Sequence, residues 1–414
     1  MTRSPFKIIV VGAGPAGLLL SLLLARHGIS VTILDAANEL DNRPRATHYG
    51  TPAVYELRRA GVIDDVLAEG FLPGTMCWRK LDGTYLAGID NTVLGDHPDR
   101  LVCLPLDRLG KILLRHLERE QTAEVKWNHR VTDIGQDDGK AWVKVTTPSD
   151  EVTMEADYIV GCDGASSQIR RSLHGDLIFP GTTWDEQIVA TNVYYDFHKY
   201  GYEDANFIIH PEHWHMASRI SKDGMWRVSY GEKGGLTHDE LVARQAMKFR
   251  EMLPGNPSPK EYKLTNISPY RVHQRLAQRM REGRFLLAAD AAHLCNPFGG
   301  LGLTGGIVDV GGLSDCLFGI WTNQANPDIL DVYDQVRRRR YSEMVDPMST
   351  QNLRRLFESD PETILEPGQD ELMTVFKKAE NDVDFAKEMA LSINDLKYDF
   401  TQHYMKPKGI VANM

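Results

Sequence analysis

The segment KIIVVGAGPAGLLLSLLLARHGISVTILD, residues 7–35, decides the fold of this chain. An apolar strand at residues 8–11 leads into the pattern G-x-G-x-x-G, an apolar helix follows to about His27, and a second strand ends at Asp35. Strand, glycine turn, helix and strand in this order form a complete β-α-β unit. The sequence therefore predicts a dinucleotide-binding fold.

The glycines explain how such a unit holds a dinucleotide. Gly12 permits the tight turn, Gly14 lets a pyrophosphate approach the main chain, and Gly17 lets the helix pack closely on the strand. The pyrophosphate then meets unpaired N–H groups at the positive end of the helix dipole. A carboxylate at the end of the second strand accepts hydrogen bonds from ribose hydroxyls. The residues predicted to bind the dinucleotide here are Gly12, Gly14, Pro15, Ala16, Gly17 and Asp35.

A membrane or secretory segment is the alternative interpretation of this stretch, because residues 8–25 carry no charge and follow Arg3 and Lys7. Three glycines and one proline interrupt the run where a turn between strand and helix is expected. We therefore favour the nucleotide unit, and we expect no membrane span elsewhere in the chain.

Composition indicates which partners to expect. The chain has 414 residues, enough for two lobes and a sizeable core, and a formal net charge of −10. An acidic total argues against a nucleic-acid surface and favours small molecules. The five cysteines are odd in number and show no C-x-x-C spacing, which fits a reducing compartment, so a cytoplasmic location is expected. No metal is expected, because the pair His213 and His215 lacks a third ligand.

The apolar pattern predicts an α/β fold, with a Rossmann-like domain interleaved with a mostly antiparallel β-sheet domain and followed by a helical C-terminal segment. Helices are predicted from about Pro52 to Ala68 and from about Leu106 to Glu120, and alternation from about Thr182 to Pro269 predicts the antiparallel sheet. The predicted parts are a discontinuous nucleotide-binding domain at 1–75, 101–181 and 270–330, a substrate-binding domain at 76–100 and 182–269, and a helical region at 331–414.

Two further motifs follow apolar strands. GCDGASSQIRRSL, residues 161–173, places Asp163 directly after one strand, and GRFLLAADAAHLCNPFGGLGLTGG, residues 283–306, places Asp290 after another. The glycine-rich loop in the second motif has almost no side-chain bulk, so it suits a flat ring, and the helix that follows favours negative charge on that ring. A flexible loop, and helix-capping or strand-end roles for the two aspartates, are the alternatives.

Together the three motifs resemble the class A flavoprotein aromatic hydroxylases, which have the para-hydroxybenzoate hydroxylase fold, over most of the first 320 residues. The resemblance implies that the dinucleotide is FAD and that the nucleotide-binding domain is an FAD-binding domain. It also implies that Asp163 and Gly164 lie where FAD and the nicotinamide donor pass, and that Asp290 holds the ribityl chain. The residues implied to border the isoalloxazine ring are Pro297, Gly300, Leu301, Gly302 and Leu303.

Arg45, in the loop RPRATHYG, matches the family arginine that contacts FAD and assists the nicotinamide step. A guanidinium suits phosphates because it offers planar, charge-assisted donors, although a surface arginine is the plainer interpretation. The chain departs from the family at Leu106, where Gln or Arg is usual, so a flavin contact is missing there. Whether the nearby Arg108 replaces that contact stays open.

The resemblance implies the reaction as well. NADH or NADPH reduces FAD, oxygen then gives a flavin C(4a)-hydroperoxide, and one oxygen atom is transferred to a phenolic or aminobenzoate-type ring. The phrases RPRATHYGTPAVYELRRAG and GLGLTGGIVDVGGL look closest to fungal hydroxylases of salicylate, 4-hydroxybenzoate and 4-aminobenzoate, some of which replace a carboxylate by hydroxyl. A monomer or homodimer that binds a small aromatic substrate is expected.

Candidate substrate residues lie in the predicted antiparallel sheet, where polar side chains could bind a carboxylate or assist removal of a phenolic proton. One sequence does not set the register of these strands, so a rim or core position is the plainer interpretation of each residue. The candidates are Asn192, Tyr194, His213, His215, Arg219, Arg227 and Tyr230.

Three other functions remain as alternatives. The first is a monooxygenase of the same fold that performs epoxidation or Baeyer–Villiger insertion on a larger secondary metabolite; the W-x-W-x-I-P signature of flavin halogenases is absent. The second is a non-catalytic, flavin-binding regulatory protein, against which the intact glycine-rich loop argues. The third is a membrane-anchored reductase, for which the polar C-terminal end supplies no anchor.

Overall fold

Two β-sheets, of six and eight strands, organise the part of the chain that the computed structural model describes, residues 6–43 and 45–405. In chain order the strands are β1 (Lys7–Val11), β2 (Ser30–Leu34), β3 (His48–Tyr49), β4 (Thr75–Lys80), β5 (Tyr85–Asp90), β6 (Val102–Cys103), β7 (Ala123–Lys126), β8 (Arg130–Gln136), β9 (Ala141–Thr146), β10 (Glu151–Ala156), β11 (Tyr158–Gly161), β12 (Gly181–Tyr194), β13 (Ala205–Ile209), β14 (His215–Arg219), β15 (Met225–Glu232), β16 (Lys263–Leu276), β17 (Arg281–Glu282), β18 (Phe285–Leu287) and β19 (His293–Leu294).

Helices cover the sheets and form most of the chain after residue 300. They are α1 (Pro15–Arg26), α2 (Thr51–Arg59), α3 (Ile63–Glu69), α4 (Leu106–Leu117), α5 (Gln168–His174), α6 (His238–Met252), α7 (Leu301–Trp321), α8 (Ile329–Arg340), α9 (Asp346–Glu358), α10 (Glu371–Ala379) and α11 (Val383–Ser392). The α/β fold with a helical C-terminal part is thus confirmed, and the sequence-based domain boundaries stay a prediction.

The six-stranded sheet contains the glycine-rich unit. Its spatial order is β17-β18-β11-β1-β2-β7, and all neighbours are parallel except β17 and β18. Ile8, Ile9 and Val10 of β1 are fully buried, as expected for a parallel strand covered on both faces. The strands β1, β2, β11 and β18 lie side by side, so their carboxyl ends meet at one edge.

The eight-stranded sheet has the order β19-β16-β12-β15-β14-β13-β4-β5 and is antiparallel except where β13 pairs with β4. One face packs on α6 through a cluster that includes Val228 and Tyr230. The other face packs on the C-terminal helices and on Phe298, through a cluster that includes Ile188 and Val272. Because side chains alternate along a strand, this second face is the one that looks toward the glycine-rich loop.

Two small antiparallel sheets complete the fold, β8-β9-β10 and β3-β6. The helix predicted from about Leu106 is confirmed as α4. The single helix predicted from about Pro52 to Ala68 was wrong, because the chain divides into α2 and α3. Gly61 adopts a φ of +60°, its N–H donates to the carbonyl of Arg58, and the N–H of Val62 donates to that of Leu57, which is a Schellman ending.

The expectation that no membrane span occurs elsewhere in the chain needs correction, because helix α7 has the length and composition of one. It passes that test with a mean hydropathy of 1.3 over its most apolar window, which is 78% buried inside the structure. The polar residues it carries, Asp309 and Asp315, form ion pairs within the protein. This burial is the pattern of a core helix.

We predict that Arg79→Met destabilises the eight-stranded sheet. The Arg79 guanidinium donates to the side chain of Asn206 at 3.0 Å and to the carbonyls of Gly83 and Gly201 at 2.9 and 2.7 Å. Removal leaves the carbonyls of Gly83 and Gly201 unpaired, while Oδ1 of Asn206 keeps the N–H of Glu203 as a donor at 3.1 Å. The expected cost is about 2–4 kcal/mol in the free energy of unfolding. Denaturant unfolding with the exposed Arg130→Met as control measures this, and equal midpoints for the two variants would contradict it.

Candidate functional site

The glycine turn leaves an open cradle at the start of α1. A Cβ on Gly17 would lie 2.0 Å from the carbonyl oxygen of Gly12, and one on Gly12 would lie 2.5 Å from that of Cys162, so both positions require glycine. A Cβ on Gly14 would meet nothing within 4 Å, and no side chain caps the helix. The first-turn N–H groups therefore face free space of the kind that a pyrophosphate fills.

Asp35 ends β2 and is tied to this turn. Its Oδ2 accepts a hydrogen bond from the N–H of Ala13 at 2.6 Å, and its Oδ1 accepts one from Ala37 at 2.8 Å. Each carboxylate oxygen keeps acceptor capacity for a ribose hydroxyl. The geometry thus fits the predicted role.

The structure places Asp163 as a helix cap. Its carboxylate accepts hydrogen bonds from the Ser167 hydroxyl at 2.5 Å and from the N–H groups of Gln168 and Ile169 at 2.6 and 3.2 Å, all at the start of α5. Burial raises the pKa of this carboxyl above its usual value. The neighbouring Gly164 has a φ of +77° and open space beside it. Asp163 therefore shapes the segment, and the main chain around Gly164 is what faces the free space.

Asp290 differs from Asp163 because its carboxylate has no hydrogen-bond partner among residues 6–43 and 45–405. It lies in the short turn Ala289–Ala291 after β18 and its side chain is exposed. Desolvation by the surrounding protein raises the pKa of the Asp290 carboxyl, and the nearby charges of His293 and Arg45 oppose that rise. A carboxylate with free acceptor capacity suits a ligand rich in hydroxyl groups.

The glycine-rich loop forms the next wall. The turn Pro297–Gly299 leads to Gly300, which has a φ of +63° and nothing within 4 Å of where a Cβ would be. Helix α7 then begins at Leu301 without a side-chain cap, so its N-terminal N–H groups point to the same free space. Phe298 is buried against the eight-stranded sheet. Gly302 and Leu303 follow in the first turn of α7.

The two predicted arginines differ in their surroundings. Arg45 is half exposed, pairs with Asp41 at 3.2 Å, and lies close enough to Asp290 to influence its charge. Arg108 is exposed in the first turn of α4, which begins at Leu106, and lies near Tyr194.

Arg227 and Asn192 are the sequence-predicted residues that the structure brings to the face with Phe298. The Nε of Arg227 donates to Oδ1 of Asn192 at 3.1 Å, and its Nη1 donates to the main-chain carbonyl of Arg45. Burial lowers the pKa of Arg227, which still leaves a guanidinium charged at neutral pH. The eight-stranded sheet thereby contacts the loop that carries Arg45 directly.

Two other candidates lie at strand ends: Tyr194 on the same face as Asn192, and Arg219 on the opposite face, where it pairs with Trp226. The Tyr194 hydroxyl donates to Asp223 at 2.8 Å. Arg219 donates to the carbonyls of Ser221 and Lys222 at 3.1 and 3.2 Å.

The remaining three candidates lie apart from Arg227. Tyr230 packs toward Phe249 on the face covered by α6. The Nδ1 of His215 hydrogen-bonds the carbonyl of His213 at 2.8 Å, and burial lowers the His215 pKa to about 4. Strand β14 starts at His215, so His213 precedes the strand, 4.0 Å from Glu251.

Sequence reasoning missed His48 and Tyr270. Burial, with Arg227 nearby, lowers the pKa of His48 to about 4; its Nδ1 hydrogen-bonds the Thr47 hydroxyl at 2.9 Å, and its Nε2 is buried without a partner. Burial raises the pKa of Tyr270 to about 12, against the charge of Arg227. His48 follows Arg45 closely in the sequence, which is a usable signal, whereas Tyr270 stands just outside the predicted sheet.

A fold and site of this kind define an FAD-dependent oxidoreductase. Residues 6–348 match the model of the FAD binding domain family, and the chain belongs to that family. It is 36% identical over 391 residues to para-nitrophenol 4-monooxygenase from Pseudomonas sp. strain WBC-3, covering 94% of this chain and 95% of that one. It is also 36% identical over 357 residues to 6-hydroxy-3-succinoylpyridine 3-monooxygenase from Pseudomonas putida, covering 86% and 90%.

A solved structure agrees with these relatives. The crystal structure of p-nitrophenol 4-monooxygenase from Pseudomonas putida DLL-E4 has a TM-score of 0.88 at 34% identity, and the match covers 95% of this chain and 99% of that one. The predicted class is confirmed: the chain is an FAD-dependent aromatic monooxygenase, for which NADH or NADPH is the typical co-substrate. The bacterial relatives do not support the expected likeness to fungal enzymes.

We predict that Gly17→Ala and Gly14→Ala separate fold from cofactor binding. The alanine at 17 meets the Gly12 carbonyl at 2.0 Å, so the apoprotein should unfold at lower temperature and bind FAD poorly. The alanine at 14 meets no protein atom within 4 Å, so the thermal midpoint should barely change while FAD affinity falls. Thermal unfolding and FAD titration of the two variants test these expectations. Normal FAD affinity in Gly14→Ala would contradict binding of the FAD pyrophosphate at this turn.

Proposed function

We propose that this monooxygenase acts on an anionic phenol-type ring at the carbon para to the hydroxyl, and that the substituent on that carbon leaves. The partly buried guanidinium of Arg227 carries this proposal. It is fixed by Asn192 and by the Arg45 carbonyl, and it retains donor capacity on the face that looks toward the glycine-rich loop. A charged, planar donor favours a phenolate, carboxylate or nitro group.

The names of two relatives support the position of attack. Para-nitrophenol 4-monooxygenase is named for the ring carbon that bears the nitro group, para to the hydroxyl. The name 6-hydroxy-3-succinoylpyridine 3-monooxygenase likewise designates the carbon that bears the succinoyl chain. A para hydroxyl or amino group feeds electrons to that carbon. Loss of carboxylate from a 4-hydroxybenzoate- or 4-aminobenzoate-type acid is the same chemistry with another leaving group. In a salicylate-type acid the activating hydroxyl is ortho to the carboxylate instead.

The chain's own residues would bind and orient the reactants. The turn with Gly14 would hold the FAD pyrophosphate, Asp35 the ribose and Asp290 the ribityl chain. Pro297 and the residues from Gly300 to Leu303 would border the ring. When bound, FAD supplies the redox chemistry with NADH or NADPH and oxygen. The wall with Phe298 would exclude water from the reacting carbon.

Three features lie beyond the site itself. We propose the domain division given above, because all strands of the six-stranded sheet fall in its first part, whereas β5 and β13–β15 of the eight-stranded sheet, with all but the first residue of β4 and of β12, fall in its second part. Strand β16 crosses the boundary at residue 270, and β19 lies beyond it. We propose a cytoplasmic location, because Cys77, Cys103, Cys162, Cys295 and Cys316 are all free thiols. A monomer or homodimer is proposed for solution.

Product analysis tests the proposed chemistry. The purified holoprotein is given NADH or NADPH with 4-nitrophenol, 4-hydroxybenzoate, salicylate or 4-aminobenzoate, and products are identified by mass. Benzoquinone with nitrite from 4-nitrophenol, or hydroquinone with carbon dioxide from 4-hydroxybenzoate, would support displacement of the para substituent. A product that gains one oxygen and keeps its substituent would overturn it.

We predict that Arg227→Met raises KM for the anionic substrate. Loss of a charge-assisted contact in the cavity costs about 1.5–3 kcal/mol, which corresponds to roughly 10- to 100-fold. The control is Arg244→Met, because Arg244 pairs with Glu232 on the α6 side of the sheet. Steady-state kinetics on both variants gives the answer. Equal KM values would remove Arg227 from the substrate site.

A further inference from the structure

Asp309 is a fully buried carboxylate on α7 that touches the turn carrying Asp290. Its Oδ2 accepts hydrogen bonds from the N–H of Ala289 at 3.0 Å and from Nε2 of His293 at 2.7 Å. Its Oδ1 accepts one from Nε of Arg337 at 2.6 Å. Although burial alone would raise its pKa, His293 and Arg337 lower it to about 2. Asp309 is therefore ionised throughout the neutral range.

Arg337 extends this contact into the C-terminal helices. From α8 its Nη1 donates to the carbonyl of Leu396 at 2.5 Å and its Nη2 to that of Gly305 at 3.4 Å, and the residue is 3% exposed. Leu396 lies beyond residue 348, where the family match ends. The ion pair thus joins the Asp290 turn, the start of α7 and a segment outside the matched region.

The turn itself needs an external restraint. Ala289 has a φ of +55°, in the left-handed region that residues with a Cβ rarely adopt. A Cβ on Gly306 would lie 2.7 Å from the Cβ of Ala289, so the turn packs against bare helix backbone. The hydrogen bond from Ala289 to Asp309 is what holds the alanine in this conformation.

We propose that Asp309 is a positioning residue, which holds the Asp290 turn where FAD binds and which Arg337 connects to the C-terminal helices. The inference rests on the proposed role of Asp290 as an FAD contact. It predicts that Asp309 acts on the cofactor through Asp290 and not through the stability of α7 alone. Asp315, on the same helix, pairs with Arg59 and has no contact with the turn, so it provides a matched control.

A double-mutant cycle on the full-length chain tests the proposal. FAD dissociation constants are measured by fluorescence titration for Asp290→Asn, Asp309→Asn, the double variant and Asp315→Asn, together with thermal midpoints of the apoproteins. Arg337 and Ala289 donate to different oxygens of Asp309, and an asparagine keeps an oxygen at only one of these two positions. The dissociation constant should therefore rise about tenfold. The double variant should bind FAD no more weakly than Asp290→Asn.

The outcomes separate the two proposals. If Asp290→Asn binds FAD normally, the proposed role of Asp290 fails. If Asp290→Asn is weakened but Asp309→Asn behaves like Asp315→Asn, or if the two effects add, the positioning role fails.

A second variant covers the case in which Asp309→Asn does not fold. Gly306→Ala keeps the ion pair and adds a methyl group that must displace Ala289. Its FAD dissociation constant should also rise about tenfold, with non-additivity toward Asp290→Asn. Unchanged FAD affinity in this variant would overturn the proposal.

Discussion

The contact between the Gly12 turn and the main chain of Cys162 is the constraint on which the site depends. A single Cβ at Gly12 would lie 2.5 Å from the Cys162 carbonyl oxygen, so β1 and β11 can approach only as bare backbone at this point. With β2 and β18 they form four neighbouring strands whose carboxyl ends share one edge. Each of the four ends runs into one of the predicted FAD motifs. Segments almost 300 residues apart in sequence therefore converge through the backbone pairing of one parallel sheet.

The second half of the site is supplied by the other large sheet. Arg227 projects from that sheet and donates to the Arg45 carbonyl, so the loop near the cofactor and the face proposed for substrate share one hydrogen bond. A ligand that moves the Arg227 guanidinium would also alter its hydrogen bond to the main-chain carbonyl of Arg45. If Arg227 binds the aromatic compound and Arg45 contacts FAD, as proposed, the two sites share this one hydrogen bond.

How much the sequence could predict follows from how local each signal is. The β-α-β unit and α4 were predictable, because the glycine pattern and the helical periodicity are both visible within a short stretch of sequence. The break at Gly61 was missed, since one glycine inside an amphipathic pattern does not by itself end a helix. Asn192 and Arg227 could not be separated from Tyr230 beforehand, because a shift of one residue exchanges the faces of a strand. His48 was missed because a two-residue strand carries no periodicity.

The order of strands in the parallel sheet also has a consequence for biosynthesis. Strand β18 takes its place beside β11 only after the whole antiparallel sheet, from β12 to β16, has been made. During translation the first glycine turn leaves the ribosome early, long before strand β18 is available to complete the parallel sheet. Contacts of such large sequence separation slow folding, and incomplete sheet edges are prone to aggregate. Flavin present during expression should therefore affect the yield of folded protein only late in folding, when ligand binding can first stabilise the native state.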